Sequence, residues 1–118
     1  MQFQNGFAVA NYKDQALFIS GGMKPRSDRA ANSVIKLDLQ TKEAMEFQSM
    51  NYGRFAHAST VLGSKLYVIW GSGGRANGMC KNLELIDLEQ GDQASWEIVE
   101  LHDVLARMNS LVCPISDT

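Results

Sequence analysis

Arg54 and His57, three residues apart, put a guanidinium and an imidazole close together. Such a pair can hold an anion or share acid–base work. Asp38 and Asp87 offer a second possibility, because paired carboxylates can divide the roles of acid and base. Each of them closes an apolar run, Val34-Ile35-Lys36-Leu37 and Leu83-Glu84-Leu85-Ile86. A third possibility is the glycine-rich stretch Gly71-Ser72-Gly73-Gly74-Arg75-Ala76-Asn77-Gly78, which has the composition of a phosphate-cradling loop. That chemistry needs a helix to start at the glycines, with its free N–H groups aimed at the phosphate. Met79 to Leu83 lead into another apolar run instead, so a nucleotide site is not expected. No GKS or GKT, HExxH, GxSxG or metal-ligand cluster occurs, and Cys80 and Cys113 stand apart without CxxC or Cys/His spacing. His102 and Asp103 read as a solvated pair in a link between elements. No catalytic, cofactor-binding or metal-binding residue is therefore assigned.

The elements that would position these side chains follow from apolar patterning. Lys65-Leu66-Tyr67-Val68-Ile69-Trp70 runs unbroken into the glycines, as a buried strand ending in a tight turn does. An earlier copy stands at Gln15-Ala16-Leu17-Phe18-Ile19-Ser20-Gly21-Gly22. Aligning Gly71 with Gly21 sets an offset of 50, which also matches Ala58 to Ala8 and Val68 to Phe18. The runs ending in Asp38 and Asp87 match at an offset of 49. The chain is one unit of about fifty residues, written twice. Strands are expected over 6–12, 15–20, 33–39 and 43–48, and again over 56–62, 65–70, 83–88 and 95–101. A polar loop covers 23–32, a glycine-rich loop 71–82, and Gln90-Gly91-Asp92 makes a turn. Leu101, Val104, Leu105 and Met108 fall at helical spacing and predict one or two helical turns there. From Arg107 the start of a third copy is expected.

Composition bounds the class without giving chemistry. Hydrophobic residues make up 45% and charged residues 20%, a chain built to fold. A formal net charge of −2 argues against a general nucleic-acid or membrane-surface binder. No apolar run approaches the roughly eighteen residues of a membrane helix. Residues 1–12 lack the basic start and apolar centre of a secretory signal. Reduced thiols in a cytoplasmic interior are the simplest reading of two scattered cysteines.

Four short strands per fifty-residue unit is the pattern of a propeller blade. The residues in those units resemble the kelch-repeat family. Its repeat carries an Arg and a His ahead of the first strand, an aromatic-apolar run ending in a double glycine, a Tyr- or Leu-Asp pair, and a Trp. Here these are Arg54 and His57, Tyr67-Val68-Ile69 with Gly71, Ile86-Asp87, and Trp96. The resemblance covers residues 4–106. In the first copy Gln4 stands at the place of Arg54 and Phe7 at that of His57. Gly21-Gly22 keeps the double glycine, and Ala44 or Met45 takes the place of the Trp. The resemblance implies that Arg54 and His57 are buried structural groups bonding strand backbone, since burying them requires partners. Asp38 and Asp87 then have turn or cap roles, one per repeat. Trp70 and Trp96 read as packing groups.

The expected fold is all-β, kelch-type blades: blade 1 over 1–50, blade 2 over 51–106, and the first strand of a third repeat or a closing strand over 107–118. Two blades cannot close a ring, and each must bury its faces against neighbours. The chain is accordingly a piece of a longer propeller, a unit completed by copies of itself or by another chain's blades, or a two-sheet sandwich. With strands alternating in direction, the loops after second and fourth strands share one rim. That rim gathers Lys24, Arg26, Arg29, Arg54, Arg75, Lys81 and Arg107 against Asp28, Glu100 and Asp103. The expected function is non-catalytic protein binding, with Lys24, Arg26, Arg29, Arg75 and Lys81 meeting an acidic protein partner. The alternatives are a structural repeat subunit and a fragment of a kelch-like sugar oxidase or epimerase. No cofactor, nucleic acid or membrane partner is expected.

Overall fold

The computed structural model describes residues 6–23, 26–75 and 77–100, with Asp92 described only in its backbone. Eight strands follow in order: β1 (Ala8–Tyr12), β2 (Ala16–Ser20), β3 (Val34–Asp38), β4 (Ala44–Phe47), β5 (Ala58–Leu62), β6 (Lys65–Ile69), β7 (Asn82–Asp87) and β8 (Glu97–Glu100). They form two four-stranded antiparallel sheets, β1-β2-β3-β4 and β5-β6-β7-β8, each with neighbouring strands in chain order. The chain is all-β, as the alternating apolar runs required. Strand ends contract by one to two residues from the expected ranges at most described termini, whereas β7 begins one residue early, at Asn82. One short element was not foreseen: a 3₁₀ turn over Leu88–Gln93 replaces the simple turn read at Gln90-Gly91-Asp92. The expected helical turns after residue 101 and the third repeat lie outside the described residues.

Period-two alternation decides which face each strand buries. In β2, Ala16, Phe18 and Ser20 are buried, while Leu17 and Ile19 are half-buried. In β6 the parity is reversed, for Leu66 and Val68 are the buried ones. A single buried cluster joins Ala10, Ala16, Phe18 and Val34 of the first sheet to Leu66, Val68 and Ile86 of the second. Met50, Ala94 and Trp96 complete it, and Phe18 meets Phe47 edge-to-face at 5.1 Å between ring centroids. The far face of the second sheet carries its own smaller cluster of Tyr67, Leu83, Leu85 and Val99.

The ladders revise the alignment of the two copies. Ser20 pairs with Val34 and Ile69 with Leu83, so both second and third strands repeat at 49. Ala8 pairs with Ser20 but Ala58 with Ile69, so the first strands repeat at 50. The difference lies in the hairpins. Lys13-Asp14-Gln15 joins β1 to β2, whereas only Gly63-Ser64 joins β5 to β6. One offset cannot serve both strands. The place of Gly21 (φ 70°) is thus held by Trp70 (φ 59°), and that of Gly22 (φ 108°) by Gly71 (φ 94°). Tyr67, not Val68, is the equivalent of Phe18. A tryptophan in the left-handed region is a strained choice, costing roughly 1–2 kcal/mol against a β or α conformation. Its carbonyl accepts from the buried Arg54.

This register fixes how the sheets meet. Phe18 faces the second sheet, yet its equivalent Tyr67 faces away from the first. The sheets therefore pack by unlike faces, front on back, with β1 beside β5.

Candidate functional site

Arg54 lies in the segment that leads from β4 of the first sheet into β5 of the second, and it is wholly buried. Its Nη1 donates to the carbonyls of Trp70 at 2.9 Å and Asn82 at 3.0 Å. Its Nη2 donates to the Asn82 side-chain oxygen and to Glu84 Oε2, the latter at 2.9 Å. Glu84, equally buried, also accepts the backbone N–H of Asn51 at 2.6 Å and of Tyr52 at 3.0 Å. A charged pair is tolerated there because its oxygens and most of its donors are matched. Only Nε of Arg54 has no partner. Arg54 therefore leaves the basic rim to which its sequence position assigned it. Its role is to hold the ends of β6 and β7 to the inter-sheet segment.

His57 is 9% exposed, and its Nε2 lies 2.9 Å from Ser20 Oγ, linking the two sheets. Burial, reinforced by the Arg54 charge, pushes its pKa down to about 4, so the imidazole is neutral near pH 7. The glycines above it are required by space as well as by φ. A Cβ on Gly21 would strike the Arg54 carbonyl oxygen and lie 2.7 Å from the imidazole Cε1. A Cβ on Gly71 would lie 2.7 Å from His57 Cβ. Gly22 instead donates its N–H to that Arg54 carbonyl at 2.8 Å. Arg54, His57, Gly21, Gly22 and Gly71 thus form one packed joint.

The remaining motif residues are local fasteners. Asp38 Oδ1 accepts the backbone N–H of Gln40 at 2.8 Å and Thr41 at 3.1 Å; the bond from Thr41, then that from Gln40, holds its carboxyl below the usual range. Asp87 Oδ1 accepts from Glu89 N at 3.0 Å and caps the 3₁₀ turn. Trp96 is buried and donates Nε1 to the Gln48 carbonyl at 2.8 Å, tying β8 to the inter-sheet segment. Its ladder equivalent is Ala44, because β4 and β8 repeat at 52. Tyr67 is half-buried on the far face of the second sheet. No helix follows the glycines at 71–78; the chain passes into β7.

The open site is on the rim. The loop after β2 folds back on itself through a bridge between Met23 and Ala30. It then bonds the loop after β6, with Ala30 N donating to Gly73 O at 3.0 Å. Ser72 bridges both Phe55 and Met79, so three chain segments lie side by side. Gly74 sits against the backbone of Asp28 and Arg29, which leaves no room for a side chain. Between the loops is an open cleft of about 600 Å³, with Met23 and Phe55 among its apolar lining and Arg26 and Arg75 as its cations. Ser27, Asp28 and Ser72 supply polar groups. Of the five expected contact residues, Arg26 and Arg75 meet in this cleft. Arg29 is exposed on the same loop, where its backbone makes a turn with Ser27 Oγ. Lys81 lines a separate cleft of about 380 Å³ with Tyr52, Met79 and Cys80. Lys24 lies outside the described residues. Cys80 is a free, half-buried thiol that donates to the Gly53 carbonyl, and burial raises its pKa.

Three participants escaped the sequence reading: Glu84, Asn82 and Ser20. Glu84 had a usable signal. It is an acid inside an otherwise apolar strand, and such a group demands a buried cation or several donors. Asn82 and Ser20 carried none, since polar residues at strand ends are ordinary. Among the described residues no helix is long and apolar enough to cross a membrane, and no three of His, Cys, Asp and Glu converge. No family model matches the chain, and no curated protein matches it.

Proposed function

We propose that this chain is a non-catalytic recognition module made of two kelch-like propeller blades, and that its rim cleft takes an acidic segment of a protein partner. The observation that carries the reading is the cleft between the loops after β2 and β6, where Arg26 and Arg75 flank an apolar lining with Met23 and Phe55. The two loops are bonded to each other rather than waving independently. A preformed cleft with fixed polar groups, here Arg26, Ser27, Asp28, Ser72 and Arg75 around Met23 and Phe55, is how binding sites are commonly built. Two arginines offer planar, always-charged donors to carboxylates. The blade reading is supported by the unlike-face packing of the sheets, which is the relation that repeated rotation about one axis produces. The buried Arg54 and His57 joint supplies rigidity beneath the loops. A reducing, cytoplasmic setting is consistent with Cys80 as a free thiol.

The test uses defined probes. Fluorescein-labelled peptides alternating Glu with Leu, and matched peptides alternating Lys with Leu, are titrated with the protein while anisotropy is read. The acidic peptide binds more tightly, its affinity falls with added salt, and Arg26→Glu with Arg75→Glu weakens it by roughly tenfold or more with unchanged circular dichroism. Equal affinity for the acidic and basic peptides, or an unaffected double variant, would end this reading.

A further inference from the structure

Asn82 opens β7, and the ion pair behind it decides which way its amide points. Arg54 Nη2 donates to its side-chain oxygen, so Oδ1 is turned to the guanidinium and the NH2 group is turned away from it. Asn82 is 7% exposed, and no described residue accepts from its Nδ2. Among the described residues, the wholly shielded side-chain atoms left without a partner are Arg54 Nε, His57 Nδ1 and Ser59 Oγ. Asn82 Nδ2 is not one of them, so this donor reaches the surface. The surface that Asn82 lines is the second cleft, of about 380 Å³. A nearly buried amide thus holds an unused donor at the wall of a concavity.

The rest of the lining says what a ligand there must carry. Lys81 supplies a positive charge, and none of the described lining residues is acidic. Two donors, an amide NH2 and an ammonium, therefore stand on consecutive residues with no anion to take them. Asn51 donates its Nδ2 to the Trp96 carbonyl at 3.3 Å, which leaves its Oδ1 as an acceptor. The apolar part of the lining is Tyr52 and Met79, both exposed. The Tyr52 ring is steadied by the Arg54 guanidinium, 5.9 Å from its centroid. A carboxylate on an apolar body matches this set, since its two oxygens accept two donors and its one charge meets one ammonium. A phosphate would leave charge unmatched against a single lysine.

We propose that the cleft lined by Tyr52, Met79, Lys81 and Asn82 is a second binding site, for a carboxylate carried on an apolar body. The carboxylate accepts from Asn82 Nδ2 and Lys81 Nζ, and the body lies on Tyr52 and Met79. Asn51 Oδ1 takes an N–H where the ligand has one. That chemistry has two sources: the C-terminal residue of a chain, which brings an amide N–H, and a small free acid, which does not. The cleft shares no lining residue with the rim cleft, and neither assignment depends on the other.

The experiment titrates three probes into isotope-labelled protein and follows its amide NMR signals: N-acetyl-leucine, N-acetyl-leucinamide and 4-methylpentanoate. N-acetyl-leucine shifts the Asn82 side-chain NH2 signal and the backbone signals of Tyr52 and Lys81, with a Kd on the order of 1 mM for so small a ligand. N-acetyl-leucinamide, which has the same shape without the charge, binds about fivefold more weakly or worse. Asn82→Asp keeps an oxygen for Arg54 and replaces only the outward NH2, and it weakens N-acetyl-leucine by at least as much. Lys81→Gln does the same at an exposed position, so it tests the site even if the Asn82 variant fails to fold; circular dichroism verifies both. Tighter binding of N-acetyl-leucine than of 4-methylpentanoate supports the site with a chain terminus as its source, and equal binding supports it with a free acid. Equal affinity for the acid and its amide overturns the proposal. So do shifts confined to other parts of the chain, an absence of binding, or a Lys81→Gln variant that binds as the unaltered protein does.

Discussion

Replacing Glu84 by Gln removes one charge from the joint between the sheets and one acceptor with it. Oε1 takes the Asn51 N–H at 2.6 Å and Oε2 the Tyr52 N–H at 3.0 Å, so the amide oxygen can keep only one of the two and its NH2 faces the other donor. Arg54, wholly buried, then has no counter-charge within the 2.9 Å contact it now makes. Breaking one side of such a pair costs about 3–5 kcal/mol, and with one backbone N–H also losing its acceptor the expected loss is about 3 kcal/mol or more. For a chain of this size that lowers Tm by about 12 °C. Arg54→Met should cost as much or more, because it strands the Glu84 carboxylate and forfeits the bonds to Trp70 and Asn82. Combining the two leaves no buried charge at all. The double variant is therefore expected to be more stable than the sum of its parts by about 2 kcal/mol or more. Urea unfolding of the four proteins, followed by circular dichroism, closes the cycle. A Glu84→Gln loss below about 1 kcal/mol, or plain additivity in the double variant, would refute the claim that a desolvated charge pair holds this joint.

Other outcomes follow from the same geometry. His57 has a folded pKa near 4, below its unfolded value of 6.5, so the unfolded chain binds the proton first. Stability is complete above pH 6.5 and falls as pH drops toward 4. The full shift is worth about 3 kcal/mol, taken as about 2 because the ring is not wholly shielded; His57→Gln should flatten that limb of the stability–pH curve. Gly21→Ala should cost about 3 kcal/mol or more, since it combines a positive φ with a clash against the Arg54 carbonyl; intact folding at wild-type Tm would contradict it. Asp87→Ala should lose about 1 kcal/mol by uncapping the 3₁₀ turn, readable as a small shift in urea midpoint at unchanged slope.

Short apolar runs closed by turn residues made the strands legible in the sequence, and alternation marked the buried face of strands such as β2. What the alternation could not convey was which face of one sheet meets which face of the other. The glycine alignment pointed to Phe18 matching Val68, which would have paired like faces. The ladders match Phe18 to Tyr67 and reverse the conclusion. The cause is a hairpin one residue shorter in the second copy, invisible to a single offset. The same effect concealed Trp70, which occupies a glycine's conformation while reading as an ordinary strand aromatic. The rim arginines were found from loop charge alone, yet charge could not separate Arg26 and Arg75, which meet across two bonded loops, from Lys81, which lies in another cleft. Arg54 was visible as a buried group and as a rim cation at once, and only its partner decides between them. That partner, Glu84, is 30 residues away on β7. Partners brought together by sheet register are what a strand pattern leaves unstated, whereas the need for one was written in a lone acid among Leu83, Leu85 and Ile86.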